Sequence, residues 1–281
     1  MYNKKMEKQL LAVAILTLNE EKDLPGCIQS VKSLNCPIFV VDSMSNDQTN
    51  RIARDLNVEI IEFRWNRKYP KKKQWTLDYL KNRFEWILLL DADERLNPSL
   101  SQEVMNVLKP SQELEKIDVV AAKLDYYFEG RLLKYGFRPT KHILLRADSV
   151  QFPEIEDLEV TNMWEVEGHY QTNGGKRIAK FNNRLIHFDT GGMYQLIARH
   201  NRYSDWEAFV NNNPEVKKKI LATKGSLARI MELLPFKGLF IFFHSYILKL
   251  GFLDGRRGFD FAVHRLFYFW QIKSKEYYFE K

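Results

Sequence analysis

The sequence predicts an α/β fold on a mostly parallel central sheet, and three observations predict it. Short aliphatic or β-branched runs alternate with amphipathic stretches through the first half of the chain. Those runs are nearly continuous in apolar residues, as strands covered by helices on both faces must be. Three of the runs end in polar, acidic sequence, where parallel sheets present ligand-binding loops beyond the carboxyl ends of their strands.

In chain order, Leu11–Leu18 is the first strand. With Lys4, Lys5 and Lys8 before it, the run imitates a secretory signal, but Asn19, Glu20, Glu21, Lys22 and Asp23 follow in place of a small-residue cleavage site, so a buried strand is expected. Leu24–Leu34 carries apolar residues at helical spacing, Ile38–Asp42 is the second strand, and Gln48–Leu56 is a helix whose start Asp47 is suited to cap. Val58–Phe63 and Trp86–Asp91 are strands, and Trp75–Arg83 and Leu100–Leu108 are helices. The alternation weakens after Pro110, and 119–187 reads as strands and loops suited to an acceptor half. Composition then turns lysine-rich from Pro214 and aromatic over Leu234–Trp270. The expected division is a catalytic domain over 8–213 and a basic, aromatic-rich helical extension over 214–281.

At 281 residues and 45% hydrophobic composition the chain can bury a full core. Cys27 and Cys36 lie outside any zinc or redox spacing, which points to a reducing, cytoplasmic setting without disulfides. The net charge of +7, concentrated at Arg64–Lys73 and from Lys217 onward, implies anionic partners. Diphosphate and anionic lipid both qualify; no nucleic-acid module accompanies the basic residues, so nucleic acid is not expected. The apolar run Gly238–Leu248 is eleven residues long, too short to span a bilayer as a helix. Around it, Phe236, Phe240, Phe242, Phe243, Tyr246 and Phe252 mix with Lys237, Lys249, Arg256 and Arg257. Such a segment either lies at the inner face of the cytoplasmic membrane or packs on the domain, and both readings stand.

Gly26 is the only glycine before Gly130, so neither a dinucleotide fingerprint nor a P-loop can form in the first half. A bound diphosphate there must be neutralised otherwise, and a Mg2+ or Mn2+ ion held by carboxylates is the alternative. Asp91, Ala92, Asp93 and Glu94 directly follow the apolar run ending at Leu90, which delivers the two aspartates from a rigid base.

Ala14–Glu21, Val40–Thr49, Asp91–Glu94, Met163–Gln171 and Arg199–Ala208 together resemble the family 2 inverting glycosyltransferases of GT-A fold, in particular a bacterial subgroup that builds lipopolysaccharide core or exopolysaccharide. The resemblance covers roughly residues 10 to 210, and the joint order of the motifs is more specific than any one of them. It implies that Thr17, Leu18 and Glu20 border the nucleotide and that Asp42 with Ser43 meets the base or ribose. Family members often have a second aspartate where Ser43 stands, which leaves the base open. Lys73 falls where the family often places a basic residue toward the donor phosphate, although Lys71, Lys72 and Lys73 also form a run of the kind that is usually solvated. The resemblance places Asp91 and Asp93 at the metal, with His187 as a further ligand, and puts the catalytic base near Glu167, with Glu165, Glu156 and Asp157 as competitors. Arg199, His200 and Arg202 are candidates to hold an anionic acceptor.

The implied reaction moves one sugar from a nucleotide-diphosphate donor to a hydroxyl of a glycan or lipid-linked acceptor. The Gln-x-x-Arg-Trp signature of processive synthases is absent, which implies single additions. Two other classes share parts of this pattern: a sugar nucleotidyltransferase, which usually needs a glycine-rich basic loop where Thr17–Asp23 is acidic, and a catalytically inert membrane-surface protein of the same fold.

Overall fold

The computed structural model describes residues 8–160, 165–167, 170–174, 177–188, 190–223, 229 and 236–279. Lys4 and Lys5 lie outside these residues, as do Met163, Trp164, Gly168 and His169 of the 163–171 motif and much of 224–235. The chain forms two compact units, one of Met1–Leu124, Thr140–Phe152 and Thr172–Phe188, the other of Asp125–Pro139, Pro153–Gln171 and Asp189–Lys281.

The first unit is the α/β sandwich of GT-A type. Its elements begin β1 (Gln9–Thr17), α1 (Leu24–Val31), β2 (Ile38–Asp42), α2 (Thr49–Asp55), β3 (Glu59–Glu62), α3 (Lys72–Leu80) and β4 (Phe84–Asp91). They continue with β5 (Glu94–Arg95), α4 (Pro98–Val107) and β6 (Val119–Phe128), whose end enters the second unit. After β7 (Arg131–Leu132) come β8 (Thr140–Arg146), β9 (Val150–Gln151), β10 (Asn173–Gly174), β11 (Ile178–Lys180) and β12 (Leu185–Phe188). The sheet runs β3-β2-β1-β4-β8-β6-β12-β5. β3, β2, β1 and β4 are parallel, whereas β8 is antiparallel to both β4 and β6.

Alternation along the strands builds the two faces. Leu11, Val13 and Ile15 of β1 and Trp86, Leu88 and Leu90 of β4 join Leu24, Cys27, Ile28 and Val31 of α1 and Leu100 and Val104 of α4 in one buried cluster. The intervening Ala12, Ala14, Ile87 and Leu89 are equally buried, and α3 packs along β1 and β4. Both faces are therefore covered, which explains the uninterrupted apolar runs. Asn97 caps α4 by accepting the Leu100 amide, 2.8 Å, ahead of a proline suited to the first turn.

The second unit is mainly helical: α5 (Gly192–Asn212), α6 (Pro214–Ala222), α7 (Lys237–Phe243) and α8 (Gly255–Phe279). α8 packs along α5 and α7. Phe128, Leu133, Leu196 and Phe261 form its buried cluster. Among the described residues no helix is long and apolar enough to cross a membrane.

Candidate active site

Three neighbouring strand ends of the first unit carry the polar residues. β2, β1 and β4 lie side by side, with Thr17 opposite Asp42 and Leu16 opposite Asp91. Parallel register, and no local signal, brings these positions to one edge.

Asp42 is buried and accepts hydrogen bonds from Thr17 Oγ1 at 2.8 Å, the Ser45 amide at 2.8 Å and Asn50 Nδ2 at 2.9 Å. Burial alone would raise its pKa, but the bonds from Ser45, Thr17 and Asn50 outweigh it and hold the carboxyl below its ordinary value. Ser43 donates its amide to the Thr17 carbonyl at 3.0 Å. The buried Ser43 Oγ and Asn50 Oδ1 have no hydrogen-bond partner among the described residues, so this edge keeps polar capacity for a ligand. Leu18 is exposed, and the Glu20 amide is taken by Thr49 Oγ1 at 2.8 Å, which staples the loop after β1 to the start of α2. Asp47 accepts the Thr49 amide at 2.9 Å from one residue before the N-cap position, which is Gln48, so it ties the first turn of α2 without being the cap itself.

The acidic tetrad spans a turn from β4 into β5. β5 pairs antiparallel with β12, His187 opposite Glu94, and this brings His187 Nδ1 to 3.4 Å from Asp93 Oδ1. Arg95 clamps the turn, donating to the carbonyls of Ala92 and Asp23, both at 2.7 Å. Gly26 makes room for that guanidinium, since a Cβ there would lie 2.5 Å from Arg95 Nε. The lone early glycine thus serves the turn that carries Asp93.

Lys141 is the principal residue that sequence reasoning missed. Its Nζ donates to Asp91 Oδ2 at 2.6 Å and to Glu94 Oε1 and Oε2 at 2.8 and 2.7 Å. Burial lowers its pKa, but Asp91 and then Glu94 more than reverse this, so the ammonium persists. Burial likewise would raise Asp91, yet Lys141 first, then Lys73 and His187, hold it well below the carboxylate range. Glu94, whose side chain is 2% exposed, is net raised: burial, Asp91 and Asp93 together exceed the pull of Lys141. Only the antiparallel pairing Leu88↔Leu144 carries Lys141 to the level of Asp91.

Lys73 sits with Nζ 5.8 Å from the Phe152 ring centroid, and its charge reaches Asp91. The expectation that Lys71 and Lys72 are solvated needs correction. Both are fully buried, and Lys72 Nζ donates to the Thr17 carbonyl at 2.6 Å, supporting the end of β1.

A divalent cation would be held here by Asp93 and His187, a carboxylate oxygen on the turn between β4 and β5 and an imidazole nitrogen on β12. Among the described residues no group of three or more His, Cys, Asp and Glu is arranged to hold a metal. Such a donor set suits an ion that takes most of its remaining ligands from substrate phosphate and water. Asp91, also expected at the metal, is engaged by Lys141.

The acceptor-side candidates belong to the second unit. Glu167 is buried and Glu165 half-buried; the chain bends at Glu165 and Val166 and no strand includes 165–167, so the shared face that extension requires does not form. Glu156 is a surface partner of Lys219 at 2.6 Å. Asp157 is fully buried and accepts Trp206 Nε1 at 2.7 Å, and Trp206 stacks on Tyr170. Those contacts account for the two competing acids structurally. His200 of α5 stacks on His264, while Arg202 is exposed.

Residues 12–192 match the family described as glycosyl transferase family 2. Over 199 residues the chain is 27% identical to an uncharacterized glycosyltransferase of Rickettsia bellii (strain RML369-C), covering 70% of this chain and 66% of that protein. The chain thus spans just under two thirds of that relative. It is 30% identical over 134 residues, 46% of each chain, to the lipopolysaccharide core biosynthesis glycosyltransferase LpsC of Rhizobium meliloti (strain 1021). Among solved structures, S. aureus TarS 1-349 aligns with a TM-score of 0.46 at 15% identity, covering 88% of this chain and 75% of that one.

Proposed function

This chain belongs to glycosyl transferase family 2, and from that premise we propose that it transfers a single sugar from a nucleotide-diphosphate donor to a hydroxyl of a glycan or lipid-linked acceptor, inverting the anomeric carbon. The observation that carries the reading is the edge where Thr17, Asp42 and Asp91 end adjacent parallel strands beside the Asp93–His187 pair. The Rhizobium relative's role in lipopolysaccharide core biosynthesis supports bacterial surface polysaccharide as the acceptor class.

In this proposal Asp42 and Ser43 hold the base or ribose, with Thr17, Leu18 and Glu20 bordering the nucleotide. Lys73 and Lys141 supply positive charge near Asp91, where the diphosphate departs. Asp93 and His187 would hold Mg2+ or Mn2+, with Asp91 as the further expected ligand. When bound, the cation neutralises charge developing on the leaving group. Glu167, with Glu165 as its alternate, takes the proton of the acceptor hydroxyl at a carboxylate oxygen. The acceptor oxygen then bonds to the anomeric carbon, and the nucleoside diphosphate leaves with the electron pair of the broken bond. Burial of Glu167 suits a base that works away from bulk water. The catalytic assembly is assigned to 8–213, and 214–281 is accessory.

The test is release of nucleoside diphosphate from a panel of nucleotide sugars with Mn2+. Asp93→Ala should lower release by roughly 100-fold or more with the thermal transition kept, as loss of an electrostatic stabiliser does. Undiminished release removes Asp93 from the mechanism. Release of pyrophosphate from a nucleoside triphosphate and sugar phosphate would instead identify a nucleotidyltransferase, and no turnover of either kind an inert protein.

A further inference from the structure

The second unit carries an apolar surface that the proposed chemistry does not use. α7 runs into a π-helical turn, His244–Leu248, and then a 3-10 turn, Gly251–Asp254, before α8 begins. Along this bend Phe243, Ile247, Leu248, Leu250, Phe252 and Leu253 are all exposed, Leu248 to 69% and Leu253 to 53%. Large apolar side chains exposed singly are ordinary, but six within eleven residues are not.

The bend is held from behind by polar contacts. Asp254 accepts the amides of Lys134 and Tyr135 at 3.0 and 2.8 Å, Ser245 Oγ accepts the Phe137 amide at 3.0 Å, and the Lys249 carbonyl accepts the Gly136 amide at 2.9 Å. The turn also closes tightly on α8, because a Cβ at Gly258 would lie 2.0 Å from the Gly251 carbonyl oxygen. Hydrogen-bonding groups are thus consumed on the loop over 134–137 while leucines and phenylalanines face out. Hydrophobic collapse alone produces the reverse arrangement.

Charge selects the occupant. From Lys237 to Lys275 there are seven lysines and arginines against two acids, Asp254 and Asp260. Both acids are engaged, Asp254 with the loop and Asp260 with Arg256 at 2.8 Å. A second copy docking symmetrically would set this cationic patch against itself. An anionic bilayer offers an apolar interior and complementary headgroups together. We infer that the bend over 243–257 docks on the headgroup region of an anionic membrane, with Leu248 and Leu253 entering the acyl boundary and Lys249 facing lipid phosphate. The chain would lie on the bilayer, consistent with the lack of a spanning helix among the described residues. This inference does not depend on the transferase reading.

The test is flotation of the full chain with vesicles of phosphatidylcholine alone or mixed roughly three to one with phosphatidylglycerol. Binding is expected to the mixed vesicles and to be weak on phosphatidylcholine alone, with a salt-resistant remainder from apolar insertion. Leu248→Ser with Leu253→Ser should weaken binding at least about tenfold, and Lys249→Ala roughly fivefold, with circular dichroism and the thermal transition unchanged. Wild-type chain that leaves mixed vesicles unbound, or a double serine variant that folds and binds as wild type does, overturns the inference. So does a dimer in light scattering that the serine pair dissociates while vesicle binding is absent.

Discussion

Replacing Lys141 by methionine removes one ammonium, keeps most of the side-chain volume, and exposes how the acidic tetrad is held. In the wild type that ammonium lies within hydrogen-bond reach of three carboxylate oxygens. Asp91, with its side chain 41% exposed, can recover water, so its share of the loss is screened and small. Glu94 cannot: at 2% exposure it retains, among the described residues, only the Asp91 amide, 2.9 Å from Oε2. Breaking one side of a buried pair costs up to about 3–5 kcal/mol, and proton uptake by Glu94, whose carboxyl burial already raises, offsets part of it. For a unit of this size each kcal/mol moves the midpoint by about 2–4 °C, so Lys141→Met should melt roughly 10 °C lower near neutral pH. Lys141→Arg should recover much of the difference, and Mn2+ should stabilise the methionine variant more than wild type by supplying positive charge. Thermal denaturation followed by circular dichroism reads all three. A methionine variant that melts within about 2 °C of wild type would show that Lys141 does not compensate Glu94.

Other consequences are equally direct. Gly26→Ala gains about 1 kcal/mol of helix propensity but displaces Arg95 from its two carbonyls, bonds to a charged group worth about 1.5–3 kcal/mol each. A net loss of about 2–5 kcal/mol is expected in urea titration, and a gain would show that Arg95 moves freely. Asp42→Asn must turn an amide NH2 toward groups that are themselves donors, so about 2–4 kcal/mol should be lost at neutral pH. Because the Asp42 carboxyl is depressed, its contribution is present above its unfolded pKa and lost as pH falls through the folded one; the asparagine variant should have a shallower acid limb. His142, bonded to Thr172 Oγ1 at 3.0 Å, is pulled by burial down to about 4. Between its unfolded value of 6.5 and about 4 the unfolded chain binds the extra proton, so stability falls with pH by about 3 kcal/mol across that window. His142→Gln should flatten that segment, and an unchanged slope would place the titration elsewhere.

Much of the first unit was legible because its strands are apolar on both faces and its helices are amphipathic. Ile38–Asp42 agrees residue for residue, and the other parallel strands and their helices shift by no more than three residues at their ends. The helix expected over Leu24–Leu34 ends as α-helix at Val31 and continues as a 3-10 turn over Lys32–Leu34, where the chain tightens before Asn35 adopts a left-handed conformation. The lysines at 71–73 misled for a physical reason: charge in sequence says nothing of a buried carbonyl, here that of Thr17, waiting to be satisfied.

By itself the sequence determined what depends on nearest neighbours: the alternation of elements, the delivery of Asp91 and Asp93 from the end of a rigid strand, and the absence of glycine loops. Tertiary structure decided everything that depends on which strand pairs with which. Antiparallel register between β4 and β8 set Lys141 against Asp91 and Glu94, pairing of β5 with β12 put His187 beside Asp93, and the space at Gly26 let Arg95 lock the turn between them. Those contacts join residues dozens of positions apart, and their energies exist only once the buried sheet removes the water that would otherwise screen them.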